Sequence, residues 1–425
     1  MSIQSAGAIP ASPVSVFANR WVQLLLGLGC MMVISSPQYV WTLFTKPFGA
    51  KLGASLAVLQ VTFSIVIVLQ TLFSPFQGKL AERFGPRRLI GFGIVLTGLS
   101  WVLASQANSV AMLYLTYGLF AGLGTGIVYV GVVGLMVRWF PRQRGFAAGV
   151  VAAGYGMGAI LTTFPIAGSL STRGLETTLW QYGVAFAVIG WIVAQGLREP
   201  AIDYASASGE AGAETVRDLN SSQMLRQPIF WLMFLMMAMM ATSGLMVTSQ
   251  MASFARDFGV ADMMVFGFTA LPLALTIDRL TNGLTRPFFG WVSDRIGREK
   301  TMFIAFTLEA AAMALWLANR DHPALFVLLS GVVFFGWGEI FSLFPSTLTD
   351  TFGARHATAN YGWLYIAQGV GAVFGGPLAA LMHQSTGSWL PVFGTAITLD
   401  VCAALLAILL LKPMRERYLQ GQTRA

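Results

Sequence analysis

Long apolar runs dominate this chain and recur at near-regular intervals, separated by short polar stretches. They lie near 20–44, 57–78, 88–106, 110–136, 144–168, 180–198, 228–251, 264–290, 301–318, 323–348, 358–382 and 389–411. Each approaches the ~20 residues a helix needs to cross a hydrocarbon core of about 30 Å at about 1.5 Å per residue. Twelve runs therefore predict twelve transmembrane helices, numbered here as spans one to twelve. The first run is too long and too closely followed by others for a cleaved leader, and residues 1–18 lack the basic start of one. Only one connection is long. Residues 199–227 include the Ala/Ser/Gly/Glu-rich stretch from Ser206 to Glu210 and show no apolar face, so they read as a flexible linker. The expected fold is an all-α membrane protein: a six-helix bundle over 1–198, a cytoplasmic linker over 199–227 and a second six-helix bundle over 228–425.

Composition agrees, with 56% hydrophobic against 10% charged residues and a mean hydropathy of +0.68, where soluble domains carry about 25% charged residues. Lys and Arg placement then sets the orientation, because short loops keep positive residues on the cytoplasmic side. With both termini inside, the cytoplasmic segments hold Arg20, Lys79, Arg83, Arg87, Arg88, Arg138, Arg142, Arg144, Arg198, Arg217, Arg226, Arg295, Arg298, Lys300, Arg355, Lys412, Arg415, Arg417 and Arg424. The outer loops hold Lys46, Lys51, Arg173, Arg256 and Arg320. This predicts a multi-pass protein of the cytoplasmic membrane, bathed in lipid and working as a monomer. The net charge of +8 follows from topology and calls for no nucleic acid.

Chemistry other than transport finds little support. Cys30 and Cys402 lie inside apolar runs, and His322, His356 and His383 match no metal-ligand spacing. No phosphate loop, zinc motif or nucleophile set is present, and no appended soluble domain marks a receptor. Neither an enzyme nor a cofactor is expected. Glycines recur every fourth residue at Gly118, Gly122 and Gly126, at Gly154 and Gly158, and at Gly371 and Gly375, a spacing that reads as close helix packing. The run Met233 to Met240 reads as packing or lipid-facing surface, and the sequon at Asn220 as incidental on the cytoplasmic side.

The second half repeats the first. Gly78, Glu82, Arg83 and Gly85 recur at the same spacing as Gly290, Asp294, Arg295 and Gly297, each set following the second span of its half, and Phe140 and Phe352 keep the same offset. Two like halves create an interface, where rocking carriers place a substrate near mid-membrane. The two loops resemble the signature of the major facilitator superfamily, read as gating loops whose charges make and break as the halves rock. The alternative is topogenic charge alone. A further resemblance, to the oxalate/formate antiporter family and its monocarboxylate-carrier relatives, rests on several strings. These are Asn19-Arg-Trp21, Gln38-Tyr-Val-Trp-Thr-Leu-Phe44, Arg138-Trp-Phe-Pro141 with Arg144-Gly145, Gly154-Tyr-Gly156, Asn282-Gly-Leu-Thr-Arg-Pro-Phe-Phe-Gly-Trp291, Phe344-Pro-Ser346 and Asn360-Tyr-Gly362. The resemblance implies an alternating-access carrier of small carboxylates in which Arg286 binds the carboxylate, with Gln38, Tyr39, Tyr129, Trp337 and Tyr365 around it.

Arg286 also stands out without the resemblance, since an arginine at mid-span costs at least about 2.5–3.5 kcal/mol on insertion scales. Its planar, permanent charge suits a carboxylate, and Asn282 one turn earlier is placed to orient it. The competing reading is an internal ion pair, for Asp278 and Arg279 share span eight and Glu339 lies in span ten. Arg279 is expected to pair with Glu339 or Asp278, leaving Arg286 free; the opposite pairing stays open. An acid left unpaired would be a proton-coupling candidate favouring symport over exchange. Gln368 stands where the resembled family has a second cation, and Phe341 where it has an aromatic hydroxyl. One fixed charge suits a monocarboxylate such as formate, lactate or pyruvate, while Arg279, if it faced the cavity, would keep oxalate in play.

Overall fold

The computed structural model describes residues 16–200 and 217–423. Within them all twelve expected spans are helical. Nine of the described helices are long and apolar enough to cross a membrane, or ten when the pair Leu56–Leu72 and Ser74–Phe84, bent by 54°, counts as one. The Arg144–Gln195 helix contains spans five and six, parted at Gly174, whose φ of 79° only glycine adopts freely. The non-helical backbone at Gly174 is the expected interruption, reduced to a tight kink. Span eight, Ala270–Ile296, is long enough but carries five charges: Asp278, Arg279, Arg286, Asp294 and Arg295. Its expected start is instead a tight hairpin pairing Met264–Val265 with Phe268–Thr269, because Phe266 and Gly267 both take positive φ, as a two-residue turn demands.

Two spans are broken at mid-length. In span one the Arg20–Val33 helix, capped by the Asn19 side chain on Trp21 N, gives way at Ser35 to a short turn, Ser36–Tyr39, and resumes as Trp41–Leu52. Pro37 lacks the N–H that a continuous helix would use. In span ten the Pro323–Trp337 and Ile340–Phe352 helices are joined through Gly338 and Glu339. The carbonyl of Phe335, freed near that break, accepts from Thr285 Oγ1 at 2.5 Å. Spans two and eight end at Gly85 and Gly297, with φ of 80° and 97°, so the repeated loops also share a backbone conformation.

Part of the expected linker is ordered. Ser221–Met224 forms a turn of helix with a capping box from Asn220 and Gln223, which accounts for the asparagine of the sequon. It docks on the second bundle through Leu219 N to Phe352 O at 2.9 Å and Asn360 Nδ2 to Leu219 O at 2.9 Å. Residues 201–216, with the Ser206–Glu210 stretch, lie outside the described residues, as do 1–15 and Arg424. Met233, Met236, Met237 and Met240 are fully buried, so the methionine run packs inside the protein.

The end of the molecule that carries the repeated loops is called the basic end. There the halves meet backbone to backbone. A Cβ added at Gly145 would lie 2.5 Å from Gly290 O, one at Gly78 2.6 Å from Thr358 O, and one at Gly149 would overlap Arg286 O. Among the described residues, the hydrogen bonds and ion pairs that join the two halves lie at the basic end or around mid-span. The interface is therefore closed at the basic end.

Candidate functional site

A cavity of about 310 Å³ lies between the halves at mid-span. The broken part of span one contributes Gln38 and Tyr39, and the break in span ten contributes Trp337 and Phe341. Span eight adds Asp278, Arg279, Asn282 and Arg286 on one face, and span eleven adds Tyr365 and Gln368. Toward the basic end, Tyr129 and Tyr365 stack across the interface with centroids 4.8 Å apart, closing the floor with one ring from each half. Gln70 Nε2 donates to the hydroxyls of Tyr155 and Tyr365, at 3.2 Å each, and Tyr155 donates to Gln38 Oε1 at 2.5 Å.

Arg286 is only 2% exposed yet has no carboxylate partner within ion-pair distance among the described residues. Its Nη1 donates to the carbonyl of Ala152 in the other half at 2.5 Å, and its Nη2 to Asn282 Oδ1 at 2.8 Å. The guanidinium carbon lies 4.5 Å from the centre of the Phe341 ring, a cation–π contact. Gly156 leaves space beside it, since a Cβ there would sit 3.4 Å from the guanidinium. Two of five N–H donors are thus engaged, and Nε has no partner. Asn282 spends its oxygen on Arg286, so its Nδ2 is a second unpartnered donor, while the Tyr129 hydroxyl lies beside that of Tyr361. Buried polar atoms are normally satisfied; unsatisfied donors beside a permanent positive charge form a receptor for an acceptor-rich anion.

Arg279 does not form the expected pair with Glu339 or Asp278. It is exposed and lines the cavity, without an ion pair among the described residues. Hydration at that mouth removes the need for a buried counter-charge. Asp278 lines the cavity with the Ser330 hydroxyl beside its carboxyl group, while Glu339 is fully buried.

At the basic end each repeated acid sits on the start of a helix from the other half. Glu82 accepts from Ala359 N at 3.0 Å and meets His356 Nδ1 at 3.1 Å. Asp294 accepts from Gly145 N at 3.0 Å and Phe146 N at 2.9 Å. Helix starts expose free N–H groups and positive dipole ends, so a carboxylate is favoured there. Asp294 also pairs with Arg298 at 2.6 Å, and Asp350 joins Arg298 at 2.8 Å to Arg144 of the first half at 2.6 Å. Arg83 and Arg295 stay outside this network, stacked on Phe84 and Trp291. Replacing Asp294 with Asn keeps its shape and removes its charge. Charge-assisted hydrogen bonds are worth about 1.5–3 kcal/mol, so the melting temperature in detergent is expected to fall by several degrees; an unchanged midpoint would show that the network does not stabilise the closed interface.

A family model described as Major Facilitator Superfamily matches residues 21–277 and 266–424. The chain belongs to the major facilitator superfamily. The E. coli fucose:proton symporter has the same fold, with a TM-score of 0.69 at 14% identity over 92% of this chain and 98% of that one. The Oxalate:formate antiporter of Oxalobacter formigenes is 35% identical over 92% of this chain and 91% of its own length. Monocarboxylate transporter 13 of Bos taurus is 25% identical over 78% of this chain and 75% of its own. The protein is thus a multi-pass membrane transporter and not an enzyme.

For a major facilitator protein the cavity residues Gln38, Tyr39, Tyr129, Asn282, Arg286, Trp337, Tyr365 and Gln368 are brought together as one lining. Trp337 Nε1 is tied to Met240 O at 3.1 Å, so that side chain offers its ring and not its donor. Sequence reasoning does not single out Tyr155 and Gln70, nor Glu309 and Asp400, both fully buried. The two acids do leave a signal, since each is a charge inside an apolar run.

Proposed function

We propose that this protein is a secondary carrier that moves small carboxylate anions across the cytoplasmic membrane by alternating access, with exchange of the oxalate/formate kind. The observation that carries the reading is Arg286, a buried guanidinium without an acid partner among the described residues, facing a cavity beside the unpartnered donor Asn282 Nδ2. The carboxylate group is taken up by the free N–H groups of Arg286, and the aromatic walls exclude water and strengthen that contact. The similarity to an oxalate:formate antiporter supports the same substrate class.

In this reading residues 1–198 and 228–425 are the two rocking bundles, joined by 199–227. The basic end with both termini faces the cytoplasm, in keeping with the distribution of Lys and Arg, and one copy suffices for transport. Glu82 and Asp294 hold the cytoplasmic side shut in the state described here. The Arg279 side chain at the mouth favours a dianion over the strictly monovalent alternative, a proton-coupled carrier of lactate, pyruvate or formate.

Uptake of labelled oxalate, formate and lactate into proteoliposomes, with and without counter-substrate or a proton gradient, tests the reading; uptake that ignores internal counter-substrate would overturn exchange. Gln368→Lys places a second cation in the lining. A charge pair contributes about 1.5 kcal/mol even at the low end of measured couplings, so the oxalate-to-formate ratio is expected to rise ~10-fold. An unchanged ratio would show that this side chain does not meet the substrate.

A further inference from the structure

The second bundle contains three carboxyl groups that the anion site does not use. Glu309 lies on the Arg298–Ala318 helix, Asp400 on the Leu390–Leu406 helix, and Glu339 at the break in span ten. All three are 0% exposed, and apart from a Ser243 hydroxyl beside Asp400 their six carboxyl oxygens have no hydrogen-bond partner among the described residues. Asp400 and Glu339 act electrostatically on Glu309, and Asp400 acts on Glu339. The groups facing them are few: the Ser243 hydroxyl beside Asp400 from span seven, and Arg286 acting on Glu339 from span eight. One cation, itself turned toward the cavity, does not balance three carboxylates in a dry bundle, where an unpaired charge is far costlier than in water.

We propose that Glu309, Glu339 and Asp400 form a proton-binding site behind the cavity, whose occupancy changes as span ten bends. A proton suits the site better than a metal ion. Among the described residues no group of three His, Cys, Asp or Glu converges closely enough to hold a metal, whereas a proton needs a single oxygen. The site is built into a hinge. Gly336 brings span ten against Glu309, with an added Cβ 2.7 Å from the Glu309 Cβ, and Gly338 brings it against Asn282 O at 2.5 Å. Glu339 therefore sits at the break in span ten, between Trp337 and Phe341, and Phe341 stacks on the Arg286 guanidinium. Any rotation about Gly338 that carries the cavity aromatics also changes the distance from Glu339 to Glu309 and Asp400, and with it the repulsion among them. The proton exchanges with water, turning carboxylate into carboxylic acid, with no other bond made or broken.

Proton binding here is independent of the carboxylate reading; only its coupling to transport rests on that reading. Infrared difference spectroscopy of the purified full-length protein in detergent tests the site without substrate. Wild type is expected to show protonated-carboxyl stretching bands that shift in heavy water, and Glu309→Gln, Glu339→Gln and Asp400→Asn are each expected to remove or shift a component. A triple amide variant with the wild-type bands would overturn the proposal. Should the triple variant not fold, Glu309→Gln and Asp400→Asn, both remote from the cavity, are measured singly, and wild-type bands in both would overturn it equally. In liposomes, the ratio of exchange rates at acid and alkaline pH is expected to collapse to unity in these variants. Exchange with a wild-type pH profile would sever the site from transport, and bands that depend on replacing sodium by choline would assign it to a metal cation instead.

Discussion

Arg286→Ala is expected to abolish uptake of labelled carboxylate into proteoliposomes while the protein still inserts and purifies as a folded species. Removing one partner from a buried, hydrogen-bonded charge pair costs about 2–5 kcal/mol, so the loss is ~30-fold or more. Folding survives because the side chain makes no ion pair within the described residues; its losses are two hydrogen bonds, to Ala152 O and Asn282 Oδ1, and one ring contact. Arg286→Lys separates charge from shape. Lysine keeps the positive charge but lacks the planar pair of parallel donors, so weakened uptake with retained anion preference would assign part of the binding to guanidinium geometry. Normal uptake by the alanine variant would remove the site.

Gly149→Val is the second large effect. Gly149 of span five lies directly on the backbone of Arg286 and Pro287 in span eight, where an added Cβ overlaps Arg286 O. The clash is with backbone and no rotamer relieves it. Overpacking costs about 1–3 kcal/mol, which shifts a two-state balance by roughly 5- to 150-fold. The variant is expected to abandon the state closed at the basic end and to exchange substrate correspondingly slowly. A Thr358→Cys reporter reads this directly, because Thr358 is 5% exposed between Gly78 and Gly134 in the closed state. Its modification by an impermeant maleimide applied from the basic end should rise in the Gly149→Val background. Equal labelling in both backgrounds would mean that this close approach plays no part in the cycle.

The spans and the central arginine are legible in the sequence because both follow from the cost of placing polar groups in hydrocarbon. The repeated loops are legible for a different reason: Gly85 and Gly297 need positive φ, and the acids at Glu82 and Asp294 keep a fixed distance from them. Pairing is another matter. Spacing puts Arg279 and Arg286 on one helix face two turns apart, but whether Arg279 needs an acid depends on how much water reaches the mouth, which only packing decides. Glu309 and Asp400 escape notice because one acid barely changes the hydropathy of a long run. That the two come near Glu339 depends on span nine packing against both span ten and span twelve, which no periodicity encodes. Tyr155 and Gln70 are ordinary residues of their helices, and they matter only through a bridge to Tyr365 of the other half. The ordered segment 217–227 reads as linker because its stabilising contacts, Leu219 with Phe352 and Asn360, lie far away in sequence.

The reciprocal placement of Glu82 and Asp294 on helix starts has an energetic consequence. Each half supplies one acid and receives one, so release of either contact frees a carboxylate and the amide groups it held at an aqueous surface, where water takes over both roles. The same polar atoms are satisfied before and after separation. A latch of that kind opens without stranding a buried charge, and leaves the direction of net movement to the concentrations on the two sides of the bilayer.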